Sequence, residues 1–157
     1  MQQKRYLVMS DLRELYQEMI VDHSRRPRNF GTLANANHIK EGYNPLCGDQ
    51  LTLFLNEQDG VISQVQFEGT GCAISMASAS LMTEMLRGKK VAEADEIFKD
   101  FIHLVTHGND KALKAKLGKL AVLAGVNEFP ARVKCATLAW HTLHAAMHDD
   151  PNTISTE

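Results

Sequence analysis

Three cysteines are spread through 157 residues, and each stands where the backbone changes direction. Cys47 lies in Pro45-Leu46-Cys47-Gly48-Asp49, a turn that sets a thiol and a carboxylate two residues apart. Cys72 follows Gly69-Thr70-Gly71, and Cys135 comes shortly after Phe129-Pro130. Zinc takes four ligands in a tetrahedron, favouring sulfur and accepting carboxylate oxygen, so Cys47, Asp49, Cys72 and Cys135 make one complete set on paper. The competing reading of each cysteine is a core filler, because free cysteine is among the most buried residue types. An odd number of widely spaced thiols argues against a disulfide framework and for metal binding or thiol chemistry.

Other constellations compete with this one. Seven histidines are present, with His141, His144 and His148 on one face of the last helical stretch and His103 and His107 spaced by four. That spacing can chelate a metal, but no acid or thiol stands near them in sequence, so they read as solvated helix faces. A cysteine nucleophile with a histidine base is a further option, and no local signature accompanies it. Gly69-Thr70-Gly71 lacks the Lys and Ser/Thr of a phosphate loop.

The elements that must bring the ligands together can be read from periodicity. Ser10-Asp11 is a capping pair, and Leu12, Leu15, Tyr16, Met19 and Ile20 recur at helical spacing up to about Asp22-His23-Ser24. Arg25-Arg26-Pro27-Arg28-Asn29-Phe30-Gly31 then breaks the helix and reads as a cationic exposed loop. A short extended piece near His38 to Tyr43 leads into the ligand turn. Leu51, Leu53 and Leu55 alternate with polar partners as a strand with one face on a core. Asp59-Gly60 turns the chain into a return strand with Val61, Val65 and Phe67 on one side and Ile62, Gln64 and Gln66 on the other. Such a hairpin puts Asp49 and the approach to Cys72 at the same end of the sheet.

The run from Ala73 to Leu86 has no Gly or Pro and predicts a helix stopped by Gly88, with Cys72 at its N-terminus where a thiolate is stabilised. Val91 to His107 predicts a second helix with Ile97, Phe101, Leu104 and Val105 as its stripe. A basic segment over Lys111 to Lys119 and an apolar piece over Leu120 to Gly125 follow. Pro130 suits the first turn of a last helix running to about Asp149, with Val133, Thr137, Leu138, Trp140, Leu143 and Met147 along it. The expected fold is α+β: a small antiparallel sheet of about three strands covered by helices. One compact domain over 1–157 is expected, with 1–9 and 150–157 flexible.

Composition narrows the function. A net charge of -2 and a pI near 6.4 give no whole-chain reason to bind nucleic acid. No stretch reaches the length of a membrane span, and the N-terminus lacks an apolar region of signal length, so a soluble, cytoplasmic protein is expected.

Three segments together resemble the IscU/SufU family of iron-sulfur cluster assembly proteins. They are Asn44-Pro45-Leu46-Cys47-Gly48-Asp49, Gly69-Thr70-Gly71-Cys72-Ala73-Ile74-Ser75 and Arg132-Val133-Lys134-Cys135-Ala136-Thr137-Leu138-Ala139-Trp140. The Leu15-Tyr16 to Asp22-His23 and Arg26-Pro27 stretch is similar to that family as well. Within it the chain looks most like the SufU type. Lys134 stands where the scaffold type has a histidine, Phe129-Pro130-Ala131-Arg132-Val133-Lys134 replaces its Leu-Pro-Pro-Val-Lys loop, and the Gly88 to Gly125 segment is longer. The resemblance implies a zinc-bound sulfur acceptor that works with a SufS-type cysteine desulfurase and hands sulfur to downstream cluster-assembly proteins. It implies Cys47, Asp49, Cys72 and Cys135 as metal ligands, and Cys47 as the acceptor that a desulfurase histidine displaces from zinc. Arg132 could then offset the site's negative charge and steer the persulfide. The alternative is a scaffold on which the same ligands hold iron or a [2Fe-2S] cluster.

Overall fold

The strand alternation of Leu51, Leu53 and Leu55 survives intact in the computed structural model, where all three side chains are buried. The structure describes residues 2–152 and 154–156, with side chains from 14 onward. Strand β1 (His38–Asn44), β2 (Asp49–Gln58) and β3 (Val61–Thr70) form an antiparallel meander. A two-residue strand, β4 (Ile154–Ser155), pairs parallel to β1, giving the order β3-β2-β1-β4. The expected three strands are thus joined by a fourth. The backbone N–H of Thr156 donates to the Tyr43 carbonyl, so part of the tail expected to fray is bonded to the sheet.

The return strand departs from simple alternation. Ile62 is fully buried alongside Val65 and Phe67, whereas Val61 is only half-buried. The register shifts at Asn56/Glu57: Gln64 faces Asn56 while Ile62 faces Glu57, so Ser63 is an extra residue. A bulge of this kind reverses the inward parity beyond it. The Ser63 hydroxyl donates to the Asn56 carbonyl at 3.0 Å, fixing the extra residue in place.

Helices cover the sheet's inner face. Helix α1 spans Gln2–Arg25, so Ser10 and Asp11 lie within it; their side chains, like that of Leu12, fall outside the described residues. Leu15 and Tyr16, expected on its buried stripe, are exposed at 50% and 39%, while Met19 and Ile20 pack partly against the core. Among its described side chains, those of the last turns of α1 meet the body. There the His23 ring shares a 2.7 Å hydrogen bond with the Ser80 hydroxyl, and the Arg28 guanidinium reaches Asp22 at 2.6 Å and closes the cationic loop.

Helix α2 (Ala73–Leu86) and helix α3 (Val91–His107) have the expected bounds, α3 ending on Gly108 at φ +81°. The short helix α4 (Lys111–Leu117) and a 3-10 helix (Gly118–Glu128) occupy the basic and apolar segments. Helix α5 (Pro130–Met147) carries Pro130 in its first turn, where its missing N–H costs nothing. Trp140 of α5 stacks on Phe101 of α3 at 4.5 Å, and its indole N–H donates to the Ser78 hydroxyl of α2 at 3.1 Å. Complete burial of each such aromatic contributes roughly 1.5–3 kcal/mol, so this contact locks three helices onto one core.

Both sheet margins are occupied in part. Beyond β3, the Gly31 N–H donates to the Phe67 carbonyl and the Phe67 N–H to the Asn29 carbonyl. The Ile62 N–H donates to the Lys89 carbonyl. Beyond β1 lies β4.

Candidate metal centre

The ligand turn is itself a hairpin loop. Asn44 and Asp49 are paired across β1 and β2, and the Cys47 N–H donates to the Asn44 carbonyl at 3.3 Å to close the turn. Gly48 takes φ +70°, a conformation that a glycine adopts without strain. The loop tip leaves Cys47 exposed, while Asp49, one strand position inside, is 1% exposed. Cys135 enters from α5 and is 2% exposed.

These three converge. Single ligand atoms of Cys47, Asp49 and Cys135 all lie within 4.8 Å of one another, and the Cys135 thiol sits 3.2 Å from the Cys47 sulfur. Cys72 stands at the rim, as the N-cap of α2, where its sulfur accepts from the Ser75 N–H at 3.4 Å. The Cys72 N–H donates to Asp49 Oδ1 at 2.8 Å, because β3 delivers Thr70 opposite Gln50. Cys72 is outside the mutual set of three, yet it acts on the Cys135 thiol together with Cys47 and Asp49.

Burial, first of all, pushes the Cys135 thiol far above its usual range, and hydrogen bonds to Cys47, Asp49 and Cys72 add to the rise. A divalent cation reverses that logic by deprotonating thiols it binds. The donor set fits such an ion: soft sulfur, one hard oxygen, and a carboxylate oriented by the neutral N–H groups of Asn44 and Cys72.

Asn44 is the residue that sequence reasoning missed. Fully buried, its amide donates to Asp49 Oδ2 at 3.0 Å and to the Cys135 sulfur at 3.4 Å, while its own Oδ1 has no partner among the described residues. A polar residue fixed extended by Pro45, directly before the ligand turn, was the available signal. Arg132 is exposed, and its guanidinium lies over the Phe129 ring at 4.3 Å rather than against a thiol. His103 and His107 have their rings 4.5 Å apart on α3.

An α+β domain gathers two thiols and a carboxylate at the end of its sheet, with a third thiol at the rim, which makes it a candidate metal–thiolate domain. Residues 15–136 match the model of the NifU-like N-terminal domain, and the chain is a member of that family. It is 40% identical over 134 residues to the zinc-dependent sulfurtransferase SufU of Bacillus subtilis, covering 85% of this chain and 90% of that protein. It is 37% identical over 146 residues to the iron-sulfur cluster assembly scaffold protein IscU of Streptococcus pyogenes, covering 93% and 91%. A solved structure from Fervidobacterium islandicum, titled as a putative assembly scaffold for the SUF system, superposes with a TM-score of 0.76. It is 37% identical, covering 83% of this chain and 94% of that one. Iron-sulfur cluster assembly is therefore the setting of this fold. No described helix is long and apolar enough to cross a membrane.

Proposed function

We propose that this protein is a zinc-dependent sulfur acceptor that takes sulfane sulfur from the persulfide of a SufS-type cysteine desulfurase. The ligands would be Cys47, Asp49, Cys72 and Cys135. The observation that carries the reading is the gradient of exposure: Cys47 is open to solvent at a loop tip, while Asp49 and Cys135 behind it are buried. One thiol can meet a partner while the rest of the set stays fixed. The relative named as a zinc-dependent sulfurtransferase supports the same choice.

Zinc, when bound, would keep the thiols deprotonated at neutral pH. The chain's own residues do the rest. The Cys47 thiolate attacks the terminal sulfur of the desulfurase persulfide; a sulfur–sulfur bond forms on Cys47 as the old one breaks, and the desulfurase cysteine leaves as thiolate with the electron pair. No net oxidation occurs. Asn44 holds Asp49 and Cys135 in register, and Arg132, three residues before Cys135 on α5, swings from Phe129 to steer the anionic persulfide. Three free thiols suit a reducing compartment such as the cytosol, with downstream cluster-assembly proteins as the next acceptors.

The scaffold reading retains support from the relatives named IscU, and would place iron or a [2Fe-2S] cluster on the same ligands. Anaerobic metal analysis and a desulfurase assay separate the two. One tight zinc, a desulfurase rate that rises with added protein, and loss of that rise in Cys47→Ser support the sulfur acceptor. Zinc-free protein that gains a stable, transferable cluster and leaves the desulfurase rate unchanged overturns it.

A further inference from the structure

A second group of ligating side chains lies on the helical side of the molecule. His144 and His148 stand one turn apart on and just beyond α5, and Asp95 faces them from α3. His148 Nε2 is 2.9 Å and 3.1 Å from the two Asp95 oxygens, and His144 Nε2 is 3.9 Å from Asp95 Oδ1. One ligand atom from each lies within 4.8 Å of the others, the spacing that three ligands about 2.0–2.2 Å from one ion require.

The acid that the sequence did not place near these histidines is thus supplied by another helix. We propose that Asp95, His144 and His148 form a second site for a divalent first-row transition metal, independent of the thiols. Two imidazoles and one carboxylate are the donor set of zinc and ferrous sites that keep open positions, so the ion held here is exchangeable. The supports are rigid. Phe98 of α3 stacks on the His144 ring at 4.7 Å and 22°, fixing its plane, and the Phe101–Trp140 stack fixes α3 against α5. His148 caps the C-terminus of α5, where the unpaired carbonyls favour a cation. His103 and His107 share the spacing of four, but no carboxylate joins them in such a group among the described residues.

The test uses the full chain, loaded with zinc, desalted, and titrated with further Zn2+ by calorimetry at neutral pH. Wild type, His148→Ala, Asp95→Asn and the control His107→Ala are compared, each first shown to melt cooperatively. A wild-type chain that takes up one more zinc, an affinity about tenfold or more weaker in His148→Ala and Asp95→Asn, and an unchanged His107→Ala support the site. A zinc-dependent rise in melting temperature present in wild type and absent in His148→Ala is the second readout. Uptake that is equal in wild type and His148→Ala, or that His107→Ala reduces as much, overturns it. Because the readout is a difference among histidine and aspartate variants, it is separate from whether the thiols hold zinc.

Discussion

Adding one methyl group at residue 71 tests whether Asp49 is a ligand. A Cβ on Gly71 falls 2.6 Å from Asp49 Oδ1 and 3.1 Å from its Cγ. Carbon–oxygen contacts settle near about 3.3 Å, so against 2.6 Å here the carboxylate must retreat by about 0.7 Å. It cannot rotate freely, because Asn44 holds one oxygen and the Cys72 N–H the other. Metal–ligand distances in a well-formed site lie within about 0.2 Å of their usual values. Gly71→Ala should therefore weaken zinc binding about 10–100-fold, or roughly 1.4–2.8 kcal/mol. Gly125→Ala, whose added carbon meets nothing within 4 Å, is the matched control. Competition against a chromophoric chelator measures the affinity, and a thermal melt confirms that both variants fold. Equal zinc affinity in the two folded variants would refute the placement of Asp49 as a ligand.

Asn44→Ala removes the amide shared by Asp49 and Cys135 and leaves a buried carboxylate oxygen short of a donor. Metal-free protein should lose about 1–3 kcal/mol in urea unfolding at neutral pH; a loss under about 0.5 kcal/mol would show that the bridge is dispensable. His23 has a second, pH-dependent consequence. Burial, then the nearby Arg28 charge, lowers its folded pKa, so as pH falls below the unfolded value of about 6.5 the unfolded chain gains a proton first and stability drops. The drop levels off below the depressed folded pKa. His23→Gln should flatten that part of the stability profile, leaving the share from His141, whose pKa burial also lowers; an unchanged slope in chemical denaturation rules His23 out.

Sequence carried most of the helical frame, because its stops are local. Gly88 and Gly108 bound α2 and α3, and Pro130 opens α5, each through backbone chemistry confined to one residue. What stayed hidden depends on pairing between distant residues. The bulge at Ser63 follows from the register of β3 against β2, and nothing in Val61-Ile62-Ser63 announces it. The exposure of Leu15 and Tyr16 depends on where α1 crosses the rest of the chain, which helical spacing alone does not state. The ligand turn was legible as chemistry, and its cysteines and Asp49 do converge in part. Asn44 escaped notice because its importance comes from facing Asp49 across the hairpin, not from its own type.

The partly filled margins of the sheet narrow how another protein can recognise this one. A partner that docks by lending a strand needs a free row of backbone amides and carbonyls. Here β4 takes part of that row on one flank, and the Asn29–Gly31 and Lys89 backbone takes part of it on the other. The exposed hairpin tip offers side chains and shape instead, with Leu46 projecting beside Cys47 at 66% exposure. Affinity can accordingly be tuned by substituting tip residues such as Leu46 without disturbing the strand ladder beneath them.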